Sequence, residues 1–166
     1  MAATVQIFSF HEATPSGADV TDGTIRFKQA DDDTQDANAP IPIPAAGYEY
    51  SYLKQLQLKA STSPTGTIDN IKFFGDGSLD WAGCAIYAEV RASYIDPTTQ
   101  VDTAHPSWVD NWENYVTGAP LSVAGSIDNP DTGYFGELVV QQLRVGDAAG
   151  VGVQAAEDVT FRYDET

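Results

Sequence analysis

The sequence predicts an all-β domain, an eight-stranded antiparallel jelly-roll β-sandwich with long connecting loops. Three observations predict it. Tyr50, Tyr52, Leu56 and Leu58 share one parity while Glu49, Ser51, Gln55, Gln57 and Lys59 share the other, the period of two that a half-buried strand produces. Cys84, Ile86, Ala88, Val90 and Ala92 repeat the pattern against Tyr87, Glu89, Arg91 and Ser93. Between these lies Thr-Ile-Asp-Asn-Ile-Lys-Phe-Phe at 67–74, set off by Ser-Pro-Thr-Gly and Gly-Asp-Gly-Ser turns, so three strands in succession form the centre of a sheet. The connections 31–44 and 95–115 are too long for hairpins, which favours a jelly roll over an up-and-down barrel. An immunoglobulin-like sandwich is the runner-up, but its Cys…Trp…Cys signature is missing.

Taken in order, residues 4–10 read as the first strand, with Val5 and Ile7 on one face and Phe8 and Phe10 on the other. Apolar residues on both faces imply that part of it is covered twice. Residues 24–28 read as a short second strand with Ile25 and Phe27 inward. The stretch 30–44 leaves regular structure, because prolines at 40, 42 and 44 remove ladder donors and favour extended geometry along a surface or an edge. Residues 48–60, 67–74 and 84–94 follow as the central trio. In the loop after them, Trp108, Trp112 and Tyr115 stand at i, i+4 and i+7, the spacing that places three rings on one side of a short helix after a Pro-Ser start. Residues 120–124, 135–145 and 158–163 complete eight strands, and the Gly/Ala-rich 146–156 connects the last two. All of 1–166 is expected to be one jelly-roll domain, which at this length buries roughly 70% of its unfolded surface.

Charge is the most unusual property. Twenty-four acidic residues face eight basic ones, a net −16, with 17 Asp against 7 Glu and only four lysines. Such a surface repels itself at low ionic strength and is relieved in molar salt, where the Debye length falls to about 3 Å. The composition is that of a halophile's protein. It excludes DNA and anionic membrane as partners, since both require clustered Lys and Arg. Residues 1–12 have no basic n-region, and no apolar run reaches transmembrane length, so the chain is expected to stay soluble in the cytoplasm where it is made.

No catalytic residue, metal or cofactor is expected. His11 and His105 are the only histidines, and neither has a nucleophile-elbow serine or a cysteine beside it. The lone Cys84 lies on an apolar strand face, the place of a small buried hydrophobe. Asp31 to Asp36 and the pair Asp76 and Asp80 offer hard oxygen ligands without the spacing of an EF-hand loop, so solvated acidic turns are the default and Asp76 and Asp80 the metal candidates. Trp81, Trp108, Trp112 and Tyr115 are the rings with which a glycan-binding module would stack sugars. Burial in the domain or in a partner is the favoured fate of these rings.

The strings Phe-Lys-Gln-Ala-Asp-Asp-Asp from 27, Pro-Ile-Pro from 42, Tyr-Leu-Lys-Gln-Leu-Gln-Leu from 52, Ile-Asp-Asn-Ile-Lys-Phe-Phe-Gly-Asp-Gly from 68 and Thr-Phe-Arg-Tyr-Asp-Glu from 160 resemble virion structural proteins of tailed viruses. The likeness spans most of the chain and consists of packing and turn motifs. It implies a small jelly-roll decoration, or cement, subunit that binds the outside of a capsid of major capsid protein, as a homotrimer about a symmetry axis. With the acidic composition, it implies a haloarchaeal host and a place on the virion surface. A tail or baseplate component, or a glycan-binding receptor-recognition module, is the alternative. The interface candidates are Ile41, Ile43, Trp108, Val109, Trp112 and Tyr115, apolar groups in the two long unpaired segments that a lone sandwich would expose.

Overall fold

The computed structural model describes residues 2–12, 14–96 and 111–166, and they are all-β, arranged as two antiparallel sheets. The strands are β1 (Val5–His11), β2 (Ser16–Asp19), β3 (Tyr48–Tyr50), β4 (Lys54–Ala60), β5 (Thr67–Phe74), β6 (Cys84–Arg91), β7 (Leu121–Ser122), β8 (Ile127–Asp128), β9 (Gly133–Gly146) and β10 (Thr160–Glu165). The larger sheet runs β2-β1-β4-β9, with β3 on the same edge of β9 as β4 and β6 on the other. The smaller runs β10-β5, with β7 and β8 on the far side of β5.

The core lies between the sheets. Leu56, Leu58, Ile86, Ala88, Phe135, Val139, Leu143 and Val145 of the larger sheet pack with Ile68, Ile71 and Phe73 of β5 and with Val123, Ile127 and Trp112. Leu53, Leu138 and Val140 form a smaller cluster on the opposite face of the larger sheet, with Phe10, Tyr94 and Ile95 against it. That sheet is therefore covered on both faces, as the two apolar parities of β1 anticipate.

Ten strands stand among the described residues where eight were expected of the chain, and each difference has a physical cause. The stretch 24–28 belongs to no ladder. Ile25 and Phe27 do pack against the core, so their alternation reports burial without strand pairing. The missing strand is β2, whose Ser-Gly-Ala-Asp has no apolar period but which pairs β1 as a hairpin, Phe8 facing Asp19 and His11 facing Ser16. The expected strand 48–60 breaks at 51–53. Tyr50 faces Arg144 while Lys54 faces Gln141, four steps against three, so the parity flips and Tyr50 lies on the opposite face from Leu56. Ser51 bridges the break: its N–H donates to the Leu143 carbonyl at 2.9 Å, and its Oγ accepts from the Leu143 N–H at 3.0 Å. The expected 120–124 strand is the two-residue β7, and β8 continues along the same edge of β5.

A second irregularity sits in β9. Leu56 faces Val139 and Leu58 faces Phe135, so the 136–138 stretch bulges from the ladder. Gly136 turns there with φ of 73°, a conformation that glycine adopts without a Cβ penalty. The Gln57 amide donates to the Gly136 carbonyl at 2.6 Å, and the Glu137 N–H reaches the Ala124 carbonyl of the smaller-sheet side at 2.8 Å. One bulge thus ties the two sheets together.

Candidate functional site

The richest collection of ionisable side chains gathers where the 28–36 loop meets the start of β4. Two lysines are enclosed there, Lys28 at 1% and Lys54 at 3% exposure. The loop is shaped by its own side chains: Asp32 accepts from the Thr34 N–H at 2.9 Å and its hydroxyl at 2.8 Å, and Asp36 accepts from Asn38 in the same way, the local turns that aspartate favours. The Lys28 ammonium enters this loop and contacts Asp32 at 2.5 Å, the Thr34 hydroxyl at 2.6 Å and Asp36 at 3.3 Å. Lys54 donates to the Asp32 main-chain carbonyl at 2.7 Å. Two buried cations therefore clasp an acidic loop onto the sheet.

The electrostatics follow from that geometry. Burial alone would lower the Lys28 ammonium, but the hydrogen bonds and charges of Asp32 and Asp36 outweigh it and raise it. Burial alone would raise Asp32. Hydrogen bonds from Lys28 and Thr34 win instead and draw its carboxyl down to about 2. Burial dominates for the other pair: it lowers Lys54 against the pull of Asp31 and Asp32, and raises Asp31 although the Glu12 N–H donates to it at 2.6 Å. One Asp31 oxygen and His11 Nδ1 are buried with no hydrogen-bond partner among the described residues. Tyr94 donates its hydroxyl to the Glu12 carbonyl at 2.8 Å, and its burial pushes the phenol well above its usual value. Gln55 grips the next residue with both ends of its amide, donating to the Ile95 carbonyl at 2.6 Å and accepting its N–H at 2.9 Å.

The chemistry this arrangement offers is retention. Lys54 has the depressed basicity of a nucleophilic amine, but it is enclosed and its ammonium is held by a main-chain carbonyl. Perturbed groups of this kind mark functional sites and structural ion networks alike, and here the contacts close on the chain's own loop.

The outer face of the larger sheet carries four cation–aromatic contacts among the described residues. The Arg144 guanidinium lies 4.3 Å from the Tyr48 ring and 5.4 Å from that of Tyr87, and Lys59 lies 4.7 Å from Phe8 and 5.1 Å from Tyr134. Tyr48 and Tyr134 are 53% and 46% exposed. In the sequence Tyr48 reads equally well as core and Tyr134 falls just before the expected 135–145 strand, so neither ring stands out there.

The expected site residues fare differently. Trp112 is 1% exposed and belongs to the chain's own core. It opens a 3-10 turn, Trp112–Asn114, and its ring lies over Gly75, where a Cβ would overlap it. Tyr115 and Ile41 are half-buried against the same core, whereas Ile43 is exposed. Trp112 is thus corrected from an exposed anchor to a packing residue of the chain's own core, while Tyr115 and Ile41 pack on that core and keep part of their surface exposed. Trp108, Val109 and His105 lie outside the described residues. Trp81 is half-buried and donates its indole N–H to the Ala155 carbonyl at 2.8 Å. Asp76 accepts the Ser78 N–H at 2.9 Å and Asp80 its hydroxyl at 3.1 Å, a turn held by serine. Among the described residues no three His, Cys, Asp or Glu side chains converge as metal ligands. Cys84 is half-buried, and burial raises its thiol. A hollow of about 280 Å³ beside Thr62, Ser63, Pro64 and Asn129 is lined by no ionisable group.

No protein-family model, curated protein or solved structure matches the chain.

Proposed function

We propose that the chain is a non-enzymatic structural protein of a virion, a decoration subunit that binds the outer surface of a capsid and braces neighbouring copies of the major capsid protein. In this reading it associates with itself as trimers about symmetry axes and works in the salt-rich environment of a haloarchaeal host. The observation that carries the reading is how the charged groups are used. The enclosed cations Lys28 and Lys54 hold the chain's own loop, and Lys59, Arg144 and Arg162 lie over its own aromatic rings. That is the economy of a rigid building block with an acidic surface.

The path of the chain supports the jelly-roll form of this reading. From β4 onward it changes sheet at every crossing: β4 to β5, β5 to β6, β6 to β7, β8 to β9 and β9 to β10. Repeated crossing is the habit of double-sheet rolls. Fold alone does not fix function.

A second reading, a glycan-recognising part of a tail or baseplate, is favoured by Tyr48 and Tyr134, which show their rings on one sheet face beside Arg144 and Lys59. Immunogold labelling of particles with an antibody to this chain separates the two. Label over the head agrees with decoration, label over the tail supports the second reading, and particles without label overturn both.

A further inference from the structure

β10 is an edge strand of the smaller sheet. β10 bonds β5 on one side, and no backbone hydrogen bond from any described residue reaches its other side. Among the other edges β2 has four residues and β7 and β8 two each, and the eight-residue β6 is interrupted midway by the bridge of Asn111 to Tyr87. An open edge of six residues without proline is a template for another strand.

Its orientation can be read from the ladder. The Thr166 N–H donates to the Thr67 carbonyl and the Thr67 N–H to the Thr166 carbonyl, both at 3.0 Å, so the main-chain groups of Thr166 face β5. The register shift between Arg162 and Asp164 spans three residues on β5, from Lys72 to Asp69, against two on β10. The extra residue belongs to β5, and β10 is regular. Alternation along a regular strand then turns the N–H and carbonyl groups of Phe161, Tyr163 and Glu165 toward the open side.

Side-chain charge selects the partner. Thr160, Arg162 and Asp164 stand exposed on the outer face, while Phe161 and Tyr163 turn to the core. In an antiparallel pair with a twofold axis at Tyr163, Tyr163 bonds its own copy, and Phe161 and Glu165 bond Glu165 and Phe161 of the second copy. Arg162 then falls opposite Asp164 of the second copy, twice over, at the closer, non-hydrogen-bonded positions of the ladder. Opposite charges there are self-complementary, as an interface between identical chains requires.

We propose that two copies of this chain pair edge to edge through β10, joining their smaller sheets into one. This contact is twofold, is separate from the threefold association proposed above, and does not rest on a virion role.

Sedimentation equilibrium of the whole protein at about 1 M KCl, where the −16 charge is screened, tests it. A reversible dimer is expected. Arg162→Asp and Asp164→Arg should each weaken dimerisation roughly tenfold or more by setting like charges opposite. The double variant carrying both should recover it, and so should an equimolar mixture of the two single variants. Tyr163→Pro removes an outward N–H while leaving the hydrogen bonds of β10 to β5, and should give monomer. Its melting temperature falls as well because the Tyr163 ring leaves the core, so the fold of this variant is checked by circular dichroism. The two charge reversals, at exposed side chains, leave the melting curve unchanged. A monomer in the unaltered protein, or an oligomer whose strength ignores both charge reversals and Tyr163→Pro, overturns the proposal.

Discussion

Asp31 and Asp32 are neighbours in sequence with opposite electrostatic fates, and the clasp they share makes the sharpest predictions at the residue scale. The Asp32 carboxyl is lower in the folded chain than in the unfolded one. Its contribution is therefore complete above about pH 4 and is lost as pH falls toward about 2. Because its side chain is 38% exposed, water screens the pair with Lys28, and Asp32→Asn should cost about 1 kcal/mol at neutral pH. Asp31 is raised by burial, so the folded chain holds its proton more tightly and ionisation weakens the fold as pH rises above about 4. Asp31→Asn should leave the neutral-pH melting temperature unchanged or higher. Calorimetry of both variants checks the pair, and a loss of the same size for each would contradict it. None of this was legible in the sequence, where 31–36 reads as a solvated acidic turn. The missing information was Lys28 and Lys54, whose strand-like spacing gives no sign that their ammonium groups end in that loop.

At the scale of elements, apolar alternation located the strands that have a buried face and misjudged those defined by hydrogen bonding. β5, β6, β9 and β10 appear close to their expected bounds. The period at Ile25 and Phe27 is genuine burial without a ladder, and β2 is a ladder without an apolar period. A break such as that at Ser51 is invisible to parity, because the count of residues on the facing strand decides it. The aromatic turn follows the same logic. Its rings read equally well as anchors for a partner or as core, and the space beside Gly75 decided for core. Trp112→Ala should therefore cost about 3–5 kcal/mol in urea unfolding, with the fold lost before any assembly is affected. Gly75→Ala should destabilise as well, since its Cβ meets the Trp112 ring. A folded, fully stable Trp112→Ala protein would return that residue to the list of interface anchors.

For the whole molecule, charge and fold class were the most legible properties, and the role was the least, because packing and turn motifs state no activity. Among the described residues the ion pairs are Lys28 with Asp32 and Asp36, and Arg91 with Glu89. With 24 acidic residues against eight basic ones, the excess negative charge has too few cations to pair with and is relieved by screening. The thermal midpoint should climb from about 0.1 M to multimolar KCl, and a midpoint that is flat or falls over that range would remove the halophilic account. The role is tested most directly by adding the purified chain, in molar KCl, to capsids from which it has been stripped, and measuring co-sedimentation and capsid disruption temperature. A structural subunit of the capsid surface saturates at a fixed ratio to the major capsid protein and raises that temperature. Failure to sediment with the capsid, or binding that leaves its stability unchanged, would contradict the account.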